Sequence, residues 1–142
     1  TGSEDVDALL NGVTANLDAL HKLNDEIPDK QLSDAMDRME KAGRSIADTV
    51  ARTPDKARNI DRFARYYLPE MVKLMGAYAE LEKQGVKGDN AAQIEADLRR
   101  NADTTAAAFE NLLDALYSAE AMDISTDIEV LDNILKSQNL TK

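Results

Sequence analysis

The sequence predicts an all-α fold: an antiparallel bundle of four long helices plus a short C-terminal helix. Three observations predict it. Apolar residues recur at spacings of three and four along five consecutive segments. Acid-to-base pairs at i,i+4 follow the same segments, all in the direction that helices favour: Asp18–Lys22, Asp34–Arg38, Asp37–Lys41, Glu40–Arg44, Asp48–Arg52, Asp61–Arg65 and Glu95–Arg99. No segment shows a comparable alternating pattern of the kind a half-buried strand requires.

The first helix runs from about Glu4 to Asp25, with Leu9, Val13, Leu17, Leu20, Leu23 and Ile27 on one face, and Pro28 ends it. The second runs from about Gln31 to Arg52 on the row Leu32, Met36, Met39, Gly43, Ile46 and Val50. The third starts at Thr53 as N-cap with Pro54 in the first helical position. Its row is Ile60, Phe63, Tyr67, Met71, Leu74, Tyr78 and Leu81, and Gly85 supplies the left-handed residue past its end. The fourth is capped by Asp89 or Asn90 and carries Ala91, Ile94, Leu98, Ala102, Thr105, Phe109, Leu112 and Leu116. A short fifth starts near Ser125 or Thr126, where Thr126 and Glu129 have capping-box spacing, with Ile128, Leu131 and Leu135 as its row. Short turns between long helices make neighbours antiparallel.

A chain of 142 residues suits one domain. Thr1-Gly2-Ser3 reads as a cloning scar, and residues 4–142 as a single bundle domain, the soluble part of a longer protein. Hydrophobic residues make up 43% but aromatics only 4%, so the core is built from Leu, Ile, Val, Met and Ala. The methionines Met36, Met39, Met71 and Met75 fall in or beside the apolar rows as core filler. The absence of cysteine excludes disulfides, thiolate catalysis and zinc–thiolate sites. A net charge of −10 repels nucleic acid and anionic membrane unless basic residues gather on one face. No apolar run reaches the ~18 residues of a membrane span.

Familiar catalytic arrangements find no support. His21 is the sole histidine and lies at the edge of an apolar row, so di-iron Glu-x-x-His pairs are excluded and a triad would hang on that one ring. Gly85-Val86-Lys87-Gly88 lacks the Gly-Lys-Ser/Thr ending and the preceding strand of a phosphate loop. The acidic run Asp123–Asp127 breaks the ligand alternation of a Ca²⁺ loop and reads as helix capping. No catalytic residue, metal ligand set or cofactor is assigned.

One face departs from the pattern. With Ile60, Phe63, Tyr67 and Met71 set toward the core, Arg58, Arg62 and Arg65 point away from it, flanked by Tyr66 and Val72. Pro69 lies on the same side; it cannot donate to the carbonyl of Arg65, and it predicts a kink. Two readings fit this face. The acidic residues Glu120, Asp123, Asp127, Glu129 and Asp132 fold over the arginines, or the arginines with Tyr66 take a partner protein or an anion. A Tyr66–Val72 patch would also suit a homodimer contact.

The stretch from Arg62 through Tyr66-Tyr67-Leu68-Pro69 to Glu82, together with Ala108–Tyr117 and Asp123–Leu131, resembles the bacterial XpaC-like family, named for 5-bromo-4-chloroindolyl phosphate hydrolysis. The resemblance covers roughly Thr53 to Leu140, and residues 1–52 match only as helical sequence. It implies a bacterial origin, a cytoplasmic location, and a longer parent attached to the membrane through parts that this chain lacks. It carries over no catalytic residue; the positions it singles out are Arg62, Tyr66, Tyr67, Pro69 and Asp127. Three functions follow. The first is a non-catalytic interaction module binding an unknown protein partner, not nucleic acid, through Arg58, Arg62, Arg65 and Tyr66. The second is a phosphoester hydrolase, as the family name implies. The third is a small-anion or ligand sensor related to toxic-anion resistance.

Overall fold

Helix α1 spans Glu4–Glu26 in the structure, a computed structural model that describes residues 3–85, 87–118 and 133. The Ser3 hydroxyl accepts from the Val6 N–H at 3.3 Å, and Glu4, Asp5 and Asp7 place negative charge against the positive end of the helix dipole. The chain turns extended at Ile27, as a residue before proline must. Asp29 then caps α2, Lys30–Arg52, accepting from the Leu32 N–H at 2.9 Å.

The third segment is not the continuous α-helix that its periodicity predicts. Pro54–Ile60 is a 3₁₀ turn, Phe63–Tyr67 is a π turn, and α3 proper is Leu68–Lys83. The Thr53 side chain makes no capping bond; its carbonyl instead accepts from the Lys56 N–H at 3.0 Å, the i→i+3 pattern of a 3₁₀ turn. The irregularity expected at Pro69 takes the form of a π turn on its N-terminal side, where the Leu68 N–H reaches back five residues to the Phe63 carbonyl. A wider turn suits a proline that cannot bond the Arg65 carbonyl and whose ring crowds it. Past α3, Gly85 adopts φ 66, the left-handed conformation expected of it. Helix α4 is Asp89–Tyr117; the residue at its N-cap is Gly88, so Asp89 and Asn90 lie inside the helix rather than capping it. Of the expected C-terminal helix only Asn133 is described, helical and exposed; Thr126, Glu129 and the row Ile128, Leu131, Leu135 lie outside the described residues.

The core follows the predicted rows on α1 and α2. Val13, Leu17, Leu20 and Ile27 are buried, with Leu9 and Leu23 half-buried against them, and the α2 row Leu32, Met36, Met39, Gly43, Ile46 and Val50 is buried throughout. Beyond the π turn the pattern shifts. The buried face widens: Ala64 within that turn and Leu68, Met75 and Ala79 after it join the expected Ile60, Phe63, Tyr67, Met71 and Tyr78 in the core. Leu74 and Leu81 are left half-buried. On α4, Leu98, Ala102, Thr105, Phe109, Leu112 and Leu116 are buried as expected, but Ile94 is exposed because the start of α4 leaves the bundle.

Ion pairs fix the helix directions. His21–Glu40 at 2.8 Å and Asp18–Arg44 at 2.9 Å run α1 antiparallel to α2. Asp29–Arg99 at 3.0 Å, with Arg38 reaching Asp103 and Glu110 at 2.7 Å each, sets α2 parallel to α4. Glu26–Lys83 joins the C-terminal ends of α1 and α3. Consecutive helices therefore alternate in direction, and the order around the bundle is α3, α1, α2, α4. Although a short loop joins them, α3 and α4 diverge at that loop. They leave a cleft of about 450 Å³ lined by Tyr78, Leu81, Glu82, Ala91, Ala92 and Glu95 among others.

Candidate functional site

Of the residues singled out from sequence, the arginines, Tyr66 and Tyr67 belong to the irregular stretch ahead of α3, Pro69 lies in the first turn of α3, and Asp127 lies outside the described residues. Arg58 lies in the 3₁₀ turn, Arg62 just before the π turn, and Arg65 and Tyr66 within it; all four are exposed. Their orientation comes from what alternates with them. Ile60, Phe63, Ala64 and Tyr67 are buried, and the Phe63 ring meets Phe109 of α4 edge-on, with centroids 4.9 Å apart. That anchor fixes the segment against α4 and turns the intervening arginines outward.

The local geometry joins cations to aromatic faces. The Arg62 guanidinium lies 5.8 Å from the centroid of the Tyr67 ring, and Tyr66 packs edge-on against Tyr67 at 5.0 Å while remaining 40% exposed. Arg65 donates through Nε to Asp61 at 2.6 Å, and both side chains are more than half exposed. Arg58 has no carboxylate partner among the described residues. Val72 is half-buried against the core, so the expected Tyr66–Val72 patch reduces to Tyr66.

Two features of this stretch had no sequence signal. Lys56 Nζ donates to the Leu116 carbonyl at 2.6 Å, satisfying an orphan carbonyl in the last turn of α4 and tying that helix end to the arginine segment. Asn59 is buried beside Arg58, and its Oδ1 has no hydrogen-bond partner among the described residues. An unsatisfied buried oxygen and a π turn both cost stability, and both fall within the same nine residues, 59–67.

His21 is exposed, with 62% of its side chain accessible. It hydrogen-bonds Glu40, which also holds Arg44 at 2.9 Å. The Glu40 hydrogen bond and charge raise the His21 pKa above its ordinary value. In the α3–α4 cleft the polar groups satisfy one another: the Tyr78 hydroxyl donates to Glu82 at 2.8 Å, and Arg99 holds both Glu95 and Asp29. Burial, followed by the Glu82 hydrogen bond, drives the Tyr78 pKa far above that of a free phenol. Among the described residues, no group of three or more His, Cys, Asp or Glu side chains is placed to hold a metal ion.

Comparison with known proteins adds a family. The family model described as 5-bromo-4-chloroindolyl phosphate hydrolysis protein matches residues 4–131. The match thus includes α1 and α2, ahead of the stretch from Thr53 that carries the motif resemblance, and it ends at residue 131 rather than near Leu140. No curated protein and no solved structure matches the chain. No described helix is long and apolar enough to cross a membrane. With the match spanning most of its length, the chain belongs to the 5-bromo-4-chloroindolyl phosphate hydrolysis protein family.

Proposed function

We propose that the chain is a non-catalytic helical interaction module that takes a carboxylate-bearing protein segment on the face formed by Arg58, Arg62, Arg65 and Tyr66. The observation that carries the reading is the concentration of exposed cations around an exposed tyrosine in a protein of net charge −10. Arginine forks suit carboxylates, and arginine and tyrosine are enriched where binding energy concentrates. The π turn gives independent support, because such turns recur at functional sites. In the longer bacterial parent, this module works on the cytoplasmic side of a membrane.

The test is a titration of the labelled chain with a synthetic poly-glutamate peptide. The expected result is saturable binding that weakens as salt rises and is lost in Arg62→Glu/Arg65→Glu, whose circular dichroism stays native. Equal binding by both proteins would refute the assigned face.

A second reading, phosphoester hydrolysis, is favoured by the family's description. Phosphate-monoester hydrolysis needs an acceleration of up to ~10²¹-fold, which enzymes reach with metals or a positioned nucleophile. His21 is taken up by Glu40 at the opposite helix pair, and no nucleophile–base pair stands among the described residues at the arginine face. The assay of 5-bromo-4-chloroindolyl phosphate hydrolysis separates this reading from the interaction reading.

A further inference from the structure

We infer that the cleft between α3 and α4 binds a small primary amine, with the ammonium on Glu82, Tyr78 and Glu95 and the apolar body against Leu81, Ala91 and Ala92. The site is separate from the arginine face and does not rest on the function proposed for it. Three observations carry it.

The first is space. The cleft of about 450 Å³ lies in the size range of small-molecule sites, roughly 300–1,000 Å³. It exists because α3 and α4 diverge and because the α4 side presents only the methyl groups of Ala91 and Ala92, in the first turn of that helix. Leu81 on the α3 side is left half-buried, an apolar wall with no side chain of the chain's own to cover it. Burying that wall against a hydrocarbon body removes apolar surface from water, which is favourable.

The second is the kind of polar group that lines the cleft. Tyr78 is 4% exposed, and its hydroxyl proton is spent on Glu82 at 2.8 Å. Burial and that hydrogen bond keep the phenol protonated, so its oxygen offers lone pairs and no further donor. The Glu82 carboxylate has acceptor sites beyond the one that Tyr78 fills, and Glu95 has sites beyond the one that Arg99 fills. An ammonium brings three donors and no acceptor, the complement of this set.

The third is charge. Arg99 serves Glu95 and Asp29, whereas Glu82 forms no ion pair among the described residues. Lys87, the one base lining the cleft among the described residues, is exposed and likewise forms none. The Glu82 charge is therefore held in place by Tyr78 and left for an incoming cation. Hydrogen bonds between ionised groups are roughly twice as strong as neutral ones, so the charge of the ligand decides binding as much as its shape.

The test is an NMR titration of the full chain with n-hexylamine, which is protonated near pH 7, against n-hexanol as its uncharged counterpart. The inference predicts saturable shifts of the backbone amides of residues 78–82 and 91–95 with the amine. Binding of the alcohol is at least about tenfold weaker, as expected when hydrogen bonds to a charge are lost. Two variants separate the parts of the site. Glu82→Gln keeps an acceptor for the Tyr78 hydroxyl but removes the charge, and weakens the amine at least about fivefold. Ala92→Leu, at an exposed helical position that tolerates leucine, keeps the charge but fills the cleft, and also weakens the amine. Equal binding of amine and alcohol, shifts centred elsewhere, or amine binding unchanged in both variants overturns the inference. Tighter binding of a blocked lysine than of hexylamine overturns the free amine as ligand in favour of a lysine side chain.

Discussion

Gly43 is where α1 and α2 approach most closely through a missing side chain, and its replacement by alanine carries opposing terms. A Cβ built there falls 2.6 Å from Leu17 Cδ2, well inside ordinary contact, so the Leu17 side chain, 1% exposed, must shift toward the shallow groove that it lines with Leu10 and Ala47. Alanine gains roughly 1 kcal/mol of helix propensity over glycine. Overpacking a filled core costs roughly 1–3 kcal/mol. The net expectation is a loss of about 1 kcal/mol, seen as a urea midpoint lower by roughly 0.3–1 M for a typical slope. Gly12 and Gly76 are the controls: both sit within helices with no atom within 4 Å of an added Cβ. Gly12→Ala and Gly76→Ala should each stabilise by about 0.5–1 kcal/mol. Leu17→Ala alone should cost roughly 2–5 kcal/mol, and its combination with Gly43→Ala should cost about 1–2 kcal/mol less than the sum because the clash is gone. If Gly43→Ala stabilises as much as Gly76→Ala, or the double variant is simply additive, the close packing of α1 on α2 is wrong.

Three further outcomes follow from other parts of the molecule. Thr105 is fully buried and its Oγ1 has no partner among the described residues, so the isosteric Thr105→Val should raise stability by about 1 kcal/mol; a loss of similar size would mean that the hydroxyl is satisfied. The His21 pKa is raised by its hydrogen bond to Glu40, so the stability this pair gives is full below the unfolded value near 6.5 and declines as pH rises through the higher folded value. An NMR titration of the His21 ring should show a midpoint above 6.5 that drops in Glu40→Gln, and an unmoved midpoint would remove Glu40 as the cause. Phe63→Leu and Phe109→Leu, analysed as a double-mutant cycle by urea denaturation, should show a coupling of about 0.5–1.5 kcal/mol from the edge-on contact; zero coupling would break the anchor that orients the arginine face.

Much of this fold is legible in the sequence where local and tertiary preferences agree. The rows on α1 and α2 and the left-handed Gly85 follow from spacing and backbone sterics alone. The third segment shows where that reasoning stops. Its row holds at Ile60, Phe63, Tyr67, Met71 and Tyr78, with Leu74 and Leu81 half-buried, but the core also covers a second side of the segment. A single row at a fixed 3.6-residue period therefore misses Leu68, which is fully buried, while Met75 fills the core as its place beside the row predicts. Among the predicted i,i+4 pairs, Glu40–Arg44, Asp61–Arg65 and Glu95–Arg99 form, but one is diverted for a tertiary reason. Asp34–Arg38 has ideal helical spacing, yet Arg38 turns to Asp103 and Glu110 because the neighbouring helix offers two carboxylates, and Asp34 takes Lys30 instead. The outward placement of Arg58, Arg62, Arg65 and Tyr66 was readable because burial of Phe63 and Tyr67 fixes the opposite face. The Lys56–Leu116 tie, the orphaned Asn59 oxygen and the α3–α4 cleft depend on how helices diverge, and no spacing rule encodes that.

On the proposed function, this member of a family named for indolyl phosphate hydrolysis acts by binding rather than by turnover. The most direct measurement is hydrolysis of 5-bromo-4-chloroindolyl phosphate by the purified chain, with and without Mg²⁺, Mn²⁺ and Zn²⁺. Arg62→Glu/Arg65→Glu and Asp127→Asn, purified identically, serve as controls. The account predicts the same background rate in all three proteins, whatever the metal. A rate in the wild type that disappears in a folded variant would contradict it and make the family's description literal for this chain.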